Sequence, residues 1–158
     1  MKSSWIKSVG DGTVLEFRDV PVPAPGPGQL LLRVRAASLN RGDLMSRIAL
    51  HRSATARPAG IDASGEVEAV GADVADFKVG DRVMVRSKGT FAEYALAEAV
   101  LSTVIPERLS WEQAAAVPIA YVTAYEALLQ FGHLKAGEWL LIAGASSGVG
   151  VASLHIAK

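Results

Sequence analysis

From Gln29 to Ala36 the chain alternates. Leu30, Leu32, Val34 and Ala36 fall on one side of an extended backbone, and Arg33 and Arg35 fall on the other. A period of two with one apolar face predicts a half-buried strand. Shorter runs of the same kind recur at residues 14–17, 65–70, 81–85, 90–96 and 100–105, bounded by Gly71, Gly80, Gly89 and Pro106. Between the first two runs, Pro21, Pro23, Pro25, Gly26, Pro27 and Gly28 make a stiff loop whose prolines cannot donate to a ladder. Many short strands with glycine and proline punctuation predict a small barrel or sandwich ending near Ile105.

The period changes at Ser110. Ser110 followed by Gln113 has the spacing of a capping box, so a helix starts there and runs until Pro118. A second helix is expected over residues 120–131, with Gly132 as its C-cap. An apolar strand follows at 139–143, then a glycine-rich turn, then a helix over 149–158. Strand, glycine turn and helix in that order open a βαβ nucleotide-binding unit. The sequence stops inside that helix, before a returning strand.

Composition narrows the function. The 158 residues are half hydrophobic, with 16 Lys plus Arg against 16 Asp plus Glu. That balance gives no electrostatic footprint for nucleic acid or for an anionic membrane. The start Met1-Lys2-Ser3-Ser4-Trp5 lacks the apolar core of a secretory signal, and no apolar run is long enough to span a bilayer. With no cysteine, the expectation is a cytoplasmic protein without disulfides or thiolate metal sites.

The turn Gly144-Ala145-Ser146-Ser147-Gly148-Val149-Gly150 is the most informative stretch. A turn that leaves a buried strand and opens a helix presents unpaired backbone N–H groups at the positive end of the helix dipole, where a pyrophosphate fits. Small residues let the phosphate approach the backbone. Two other readings share these residues. The turn could serve only to reverse the chain. Gly144 to Gly148 also matches G-x-S-x-G, with Ser146 as a nucleophile on a strand-to-helix elbow. A hydrolase of that kind needs its acid and histidine downstream, and His155 is the sole histidine that follows. A P-loop is excluded because no Gly-Lys-Ser/Thr follows the turn.

Five segments in order resemble the medium-chain dehydrogenase/reductase superfamily. They are Gly60-Ile61-Asp62-Ala63-Ser64-Gly65 with Val67, Val70 and Gly71; Val79-Gly80-Asp81-Arg82-Val83; Gly89-Thr90-Phe91-Ala92-Glu93-Tyr94; Ala114-Ala115-Ala116-Val117-Pro118 with Thr123-Ala124-Tyr125-Glu126-Ala127-Leu128; and the glycine turn. The resemblance implies a mainly β chain with an α/β end. A GroES-like, partly open β-barrel (1–117) would lead into a linking helix and the first βα unit of a truncated Rossmann domain (118–158).

It also implies a zinc-free, quinone-oxidoreductase-like branch. Ile61 stands where zinc-binding members carry histidine, the cysteine ligands are absent, and His51, His133 and His155 have no ligand spacing. In that branch Asn40 matches an asparagine near the nicotinamide, and Thr123 matches a threonine beside the same ring. Gly144, Ala145, Ser146, Ser147, Gly148, Val149 and Gly150 would hold the pyrophosphate. Unaided by a ligand, Asn40 would be a turn residue, Thr123 a hydroxyl bonded inside its helix, and Asp43 a loop brace paired with Arg41 or Arg47.

The chemistry so implied is hydride transfer from NADPH, with NADH not excluded, to a small electrophile such as a quinone or an α,β-unsaturated carbonyl. Asn40 and nearby N–H groups would meet the charge that develops on the acceptor oxygen. A homodimer is implied at full length. Two departures from the pattern stand out. Met45 lies where some quinone reductases carry tyrosine, and Ser147 replaces the middle glycine of the nucleotide loop. The competing expectation is a non-catalytic fragment whose barrel folds and whose cofactor site is half built.

Overall fold

The computed structural model describes residues 1–9, 12–41, 43 and 55–158. Met45, Arg47 and His51 lie outside the described residues. The chain divides into two compact units, Met1–Ala116 and Val117–Lys158.

The first unit is built from two antiparallel sheets. Strand β1 (Lys2–Val9) pairs with β2 (Gly12–Asp19) on one side and with β4 (Arg57–Pro58) on the other. The larger sheet contains β3 (Gln29–Ala36), β5 (Asp62–Val70), β6 (Arg82–Arg86), β7 (Tyr94–Glu98) and β8 (Ser102–Val104), in the order β7-β3-β5-β6-β8. The alternation at β3 explains both of its faces. Leu30 and Leu32 sit among Ala63, Val67, Val83, Val85 and Ala97 in the core. On the outer face Arg33 and Arg35 form ion pairs with Glu68 and Glu66 of β5, each at 3.2 Å. Burying a Leu or Val of this kind contributes about 1.5–3 kcal/mol, whereas exposed ion pairs add at most about 1 kcal/mol, so the apolar face decides the register.

The two sheets touch at their edges. Ser3 bridges Ala92, the Ser4 N–H donates to Phe91 O at 2.8 Å, and the Phe91 N–H donates to Ala59 O at 3.0 Å. Among the described strands the ladders do not close, so the barrel is open. Gly65 lies beneath β3 at a register shift between Val34 and Ala36, where a Cβ would come within 3.2 Å of Val34 Cα. Only glycine allows that approach.

The capping box is present at the start of α1 (Trp111–Ala115): Ser110 Oγ accepts from the Gln113 N–H and the Gln113 side chain accepts from the Ser110 N–H. Two polar ties fasten this helix to the sheet. Ser64 Oγ, fully buried, donates to Trp111 O at 2.6 Å. Arg82 lies 4.5 Å from the Trp111 ring centroid and donates to Leu109 O at 2.8 Å.

In the second unit, α2 (Pro118–Tyr125) begins two residues before the expected start, because proline is favoured in a first turn where its missing N–H costs nothing. The helix continues as a wider π-helical turn over Glu126–Phe131. Gly132 is the C-cap, but the left-handed residue is His133, at φ 51°. Glycine is needed at 132 for space, since a Cβ there would meet Ala127 O at 2.6 Å and Leu128 O at 2.8 Å. The last helix, α3 (Gly148–Ala157), packs against α2.

The strand expected at 139–143 does not form. A strand exists by pairing, and among the described residues none lies alongside this segment. Trp139 is 100% and Leu141 94% exposed. The apolar run therefore records a residue preference without the partner that would realise it.

Candidate cofactor site

Each unit carries part of the candidate site. In the first, the loop after β3 delivers Ser38 and Asn40 to Asp62, the first residue of β5. Asp62 is fully buried at the head of the apolar strand. Ser38 Oγ donates to Asp62 Oδ1 at 2.7 Å. The Asn40 side-chain nitrogen donates to the same Asp62 oxygen at 3.0 Å and to Ser38 Oγ at 2.9 Å. The loop is braced locally: the Asn40 backbone N–H donates to Asp43 Oδ2 at 2.8 Å, and the Asp43 N–H returns to Asn40 O at 3.0 Å. Asp43 thus holds the loop through the Asn40 backbone. Among the described residues it makes no ion pair with Arg41.

Asp62 Oδ1 faces the nitrogen end of the Asn40 amide. The two acceptors, Ser38 Oγ and Asp62 Oδ1, lie on the same side of the Asn40 nitrogen, 2.7 Å from each other. The Asn40 Oδ1 has no donor among the described residues. Beside this loop a cleft of about 310 Å³ is lined by Asp43, Arg57, Pro58, Gly60, Ile61 and Lys88. Ile61 makes that stretch apolar, with the cations of Arg57 and Lys88 at its sides.

In the second unit the glycine turn runs into α3. Gly144 is left-handed at φ 72°, and the Ser147 N–H closes the turn on Gly144 O at 2.9 Å. Ser147 is the N-cap, and its Oγ accepts from the Gly150 N–H at 3.0 Å. The first intrahelical bond runs from the Val151 N–H to Ser147 O at 2.8 Å. The N–H groups of Gly148 and Val149 are then the ones left over at the helix start, as a helix N-terminus requires. Ser147 spends its own N–H and covers that of Gly150, so Gly148 and Val149 form the donor pair, with Ala145 and Ser146 exposed before them. Gly150 is buried, and a Cβ on it would meet Ala145 Cα at 2.7 Å. That glycine keeps turn and helix together.

Thr123, on α2, is exposed, and its hydroxyl makes no hydrogen bond among the described residues. Ser153, by contrast, donates back to Val149 O at 2.8 Å. His155 is engaged by the Tyr121 hydroxyl, 2.6 Å from its Nδ1, rather than by Ser146. No three His, Cys, Asp or Glu side chains come together as a metal-binding group among the described residues.

Sequence reasoning missed Ser38 and Asp62, and it missed the Arg57–Lys88 cleft. A signal for Asp62 was present, since an isolated carboxylate opening the run Asp62-Ala63-Ser64-Gly65 is out of place in a core strand unless something donates to it. Nothing in the spacing pointed to Ser38 as the second partner.

An open antiparallel barrel joined in sequence to a glycine turn at a helix start is the architecture of the medium-chain dehydrogenases and reductases. The chain belongs to that superfamily, in its quinone-oxidoreductase-like branch; residues 26–107, just over half of it, match the alcohol dehydrogenase GroES-like domain. It is 44% identical over 144 residues to the quinone oxidoreductase of Sus scrofa, covering 89% of this chain and 44% of that protein. It is 42% identical over 151 residues to the human synaptic vesicle membrane protein VAT-1 homolog, covering 94% of this chain and 38% of that one. Among solved structures, the quinone oxidoreductase from Coxiella burnetii superposes with a TM-score of 0.87 at 34% identity, covering 99% of this chain and 53% of that chain. A mycobacterial protein solved in complex with NADPH gives the same TM-score at 31% identity, covering 97% of this chain and 48% of that one. The chain spans about half the length of the relatives it matches, or less.

Proposed function

We propose that the chain is the front part of an NAD(P)H-dependent, zinc-free oxidoreductase that reduces a small electrophile, a quinone or an α,β-unsaturated carbonyl. The observation that carries this reading is the glycine turn. Its Gly148 and Val149 N–H groups are unspent at the start of a ten-residue helix, and Gly150 holds the turn close enough to cradle an anion. The NADPH-bound mycobacterial relative supports the phosphorylated nucleotide, and NADH remains the competitor to test against it.

When bound, the nicotinamide supplies the hydride. In this proposal the protein's own groups bind and orient. Gly148 and Val149 hold the pyrophosphate, flanked by Gly144, Ala145, Ser146 and Ser147. Thr123 offers a hydroxyl to the nicotinamide, and Asn40 offers its amide. Charge developing on the acceptor oxygen is met by Asn40, nearby backbone N–H groups or solvent. The residue types at Ile61 and its neighbours supply no metal ligand set. The whole protein is proposed to act in the cytoplasm as a homodimer on a freely diffusing substrate.

The chain's length against its relatives favours a second reading, in which these 158 residues by themselves are a non-catalytic barrel module with a half-built nucleotide site. A Rossmann crevice binds a dinucleotide across two mononucleotide halves. One helix start contributes at most about 2 kcal/mol toward an anion, whereas a 1 mM dissociation constant requires about 4 kcal/mol. Calorimetric titration with NADPH and NADH separates the readings. The product of the complete reading frame is expected to bind NADPH at micromolar concentration, and residues 1–158 alone no better than millimolar. Failure of the full product to bind either nucleotide would overturn the oxidoreductase proposal. Micromolar binding by residues 1–158 would overturn the half-built site.

A further inference from the structure

We infer that the outer edge of β2 is a self-complementary interaction surface, and that the partner it fits is a second copy of this chain, paired antiparallel about Phe17. The inference stands on the first unit alone and does not depend on the nucleotide reading. β2 ends its sheet, with β1 on one side and no strand on the other among the described residues. The direction of its free backbone groups follows from the ladder. Val20 and Met1 exchange two bonds, the Val20 N–H donating to Met1 O at 2.9 Å and the Met1 amino group to Val20 O at 2.7 Å. Bonding alternates along an antiparallel pair, so Arg18, Glu16 and Val14 also face β1. The N–H and C=O groups of Asp19, Phe17 and Leu15 therefore point outward. The β1 residues opposite Asp19 and Phe17 agree, since Lys2 and Ser4 bond on their other side to Glu93, Phe91 and Ala59.

A free edge beside exposed apolar side chains is a template for another strand. Phe17 is 78% and Leu15 52% exposed. Charge selects the partner. Only residues 15, 17 and 19 have outward backbone groups, so a two-fold pair must set these positions against one another. Centred on Phe17, the pairing puts the two Phe17 rings side by side and sets Glu16 of each copy against Arg18 of the other. Those are the non-hydrogen-bonded positions, where side chains approach most closely. Moving the two-fold centre by one residue sets Glu16 against Glu16, or Arg18 against Arg18, and like charges directly opposite destabilise a ladder. Both side chains are already held on one face, because Arg18 donates twice to Glu16 Oε2, at 3.1 and 2.6 Å, while its guanidinium lies 4.5 Å from the Trp5 ring centroid. Asp19 falls opposite Leu15 in this register, with its carboxylate 3.7 Å from the Lys2 ammonium. The contact is isologous and closes at two copies. One strand edge buries little surface, so the dimer is weak and concentration-dependent.

The chain has no cysteine, which makes a disulfide trap specific. Opposed, hydrogen-bonded residues of an antiparallel pair lie about 5.5 Å apart at Cα, within disulfide reach. Under mild oxidation the 158-residue chain carrying Phe17→Cys should form a covalent dimer. Leu15→Cys alone should not, because the two copies of that position lie about 13 Å apart in this register. A mixture of Leu15→Cys with Asp19→Cys should link, since those positions face each other. Random collision would link all of them alike.

A second measurement uses charge. In sedimentation equilibrium over a concentration series, Glu16→Arg and Arg18→Glu should each weaken self-association roughly tenfold or more, because both cross-strand pairs of the dimer turn repulsive. Mixing the two variants should restore association, because their reversed charges complement each other. Damage to the fold would not be repaired by mixing. Linkage of Leu15→Cys alone as readily as Phe17→Cys, or association indifferent to either charge reversal, would overturn the register. A native chain that stays monomeric and yields no Phe17→Cys dimer would overturn self-pairing and leave the edge to a strand of another protein.

Discussion

Gly60 and Gly80 form a matched pair for testing how the first unit is held together. Both are left-handed, at φ 93° and 89°. A Cβ at Gly80 would meet nothing within 4 Å. At Gly60 it would strike Thr90 Oγ1 and lie 2.6 Å from Phe91 N and 2.7 Å from Phe91 Cδ1. Alanine at either position incurs backbone strain of about 1–2 kcal/mol. At Gly60 an overpacking cost of about 1–3 kcal/mol is added, because the atoms struck are backbone and the side chain of Thr90, which is fully buried. Gly80→Ala is therefore expected to lose about 1–2 kcal/mol and Gly60→Ala about 2–5 kcal/mol. At about 4 °C per kcal/mol for a unit of this size, the Tm gap between the variants is roughly 4–12 °C. Near-ultraviolet circular dichroism during urea and thermal unfolding reads Trp5 and Trp111, which both belong to the first unit. Equal loss in the two variants, or a milder loss at Gly60, would refute the claim that the Gly60 segment is packed directly against residues 90–91.

Two further outcomes are expected. Asp81 has its carboxyl held below the usual carboxylate range, chiefly by the hydrogen bond from the Lys78 ammonium and then by the Lys78 backbone N–H. A pKa depressed on folding stabilises above the unfolded value of about 4, and that stabilisation disappears as pH falls through the folded value. Calorimetry should accordingly show Asp81→Asn with a lower Tm than the native protein at pH 7, the gap shrinking as pH falls below the unfolded value; a gap independent of pH would refute the linkage. Gly150→Val should destabilise the second unit by about 1–3 kcal/mol, since its side chain would enter the space against Ala145, and should weaken NADPH binding by about tenfold or more. Unchanged proteolysis at the turn together with unchanged binding would contradict it.

Legibility differed along the chain for identifiable reasons. The strand at Gln29–Ala36 could be read because its two faces meet different solvents, a packed core and an outer row of ion pairs. The Ser110 cap could be read because its partner lies three residues away. Residues 139–143 were misread because pairing is not local, and a β-prone run without a neighbour stays unpaired. The C-cap could be read at Gly132, whereas the positive φ beside it falls on His133, since glycine at 132 answers a steric demand and not a torsional one. Within the site, the glycine turn declared itself by composition, whereas the Asn40–Asp62 pair is separated by 22 positions and became visible only in three dimensions. The family resemblance pointed to Asn40 but not to its contact with a buried carboxylate.

Trp139 has a consequence for experiment. A fully exposed indole emits at long wavelength and is open to iodide, so this residue reports on its own covering without any label. If another stretch of chain comes to lie along residues 139–142, the emission will move to the blue and the quenching will fall. The same spectrum would reveal self-association, because an apolar segment with free backbone donors and acceptors is also a template for strands of other molecules.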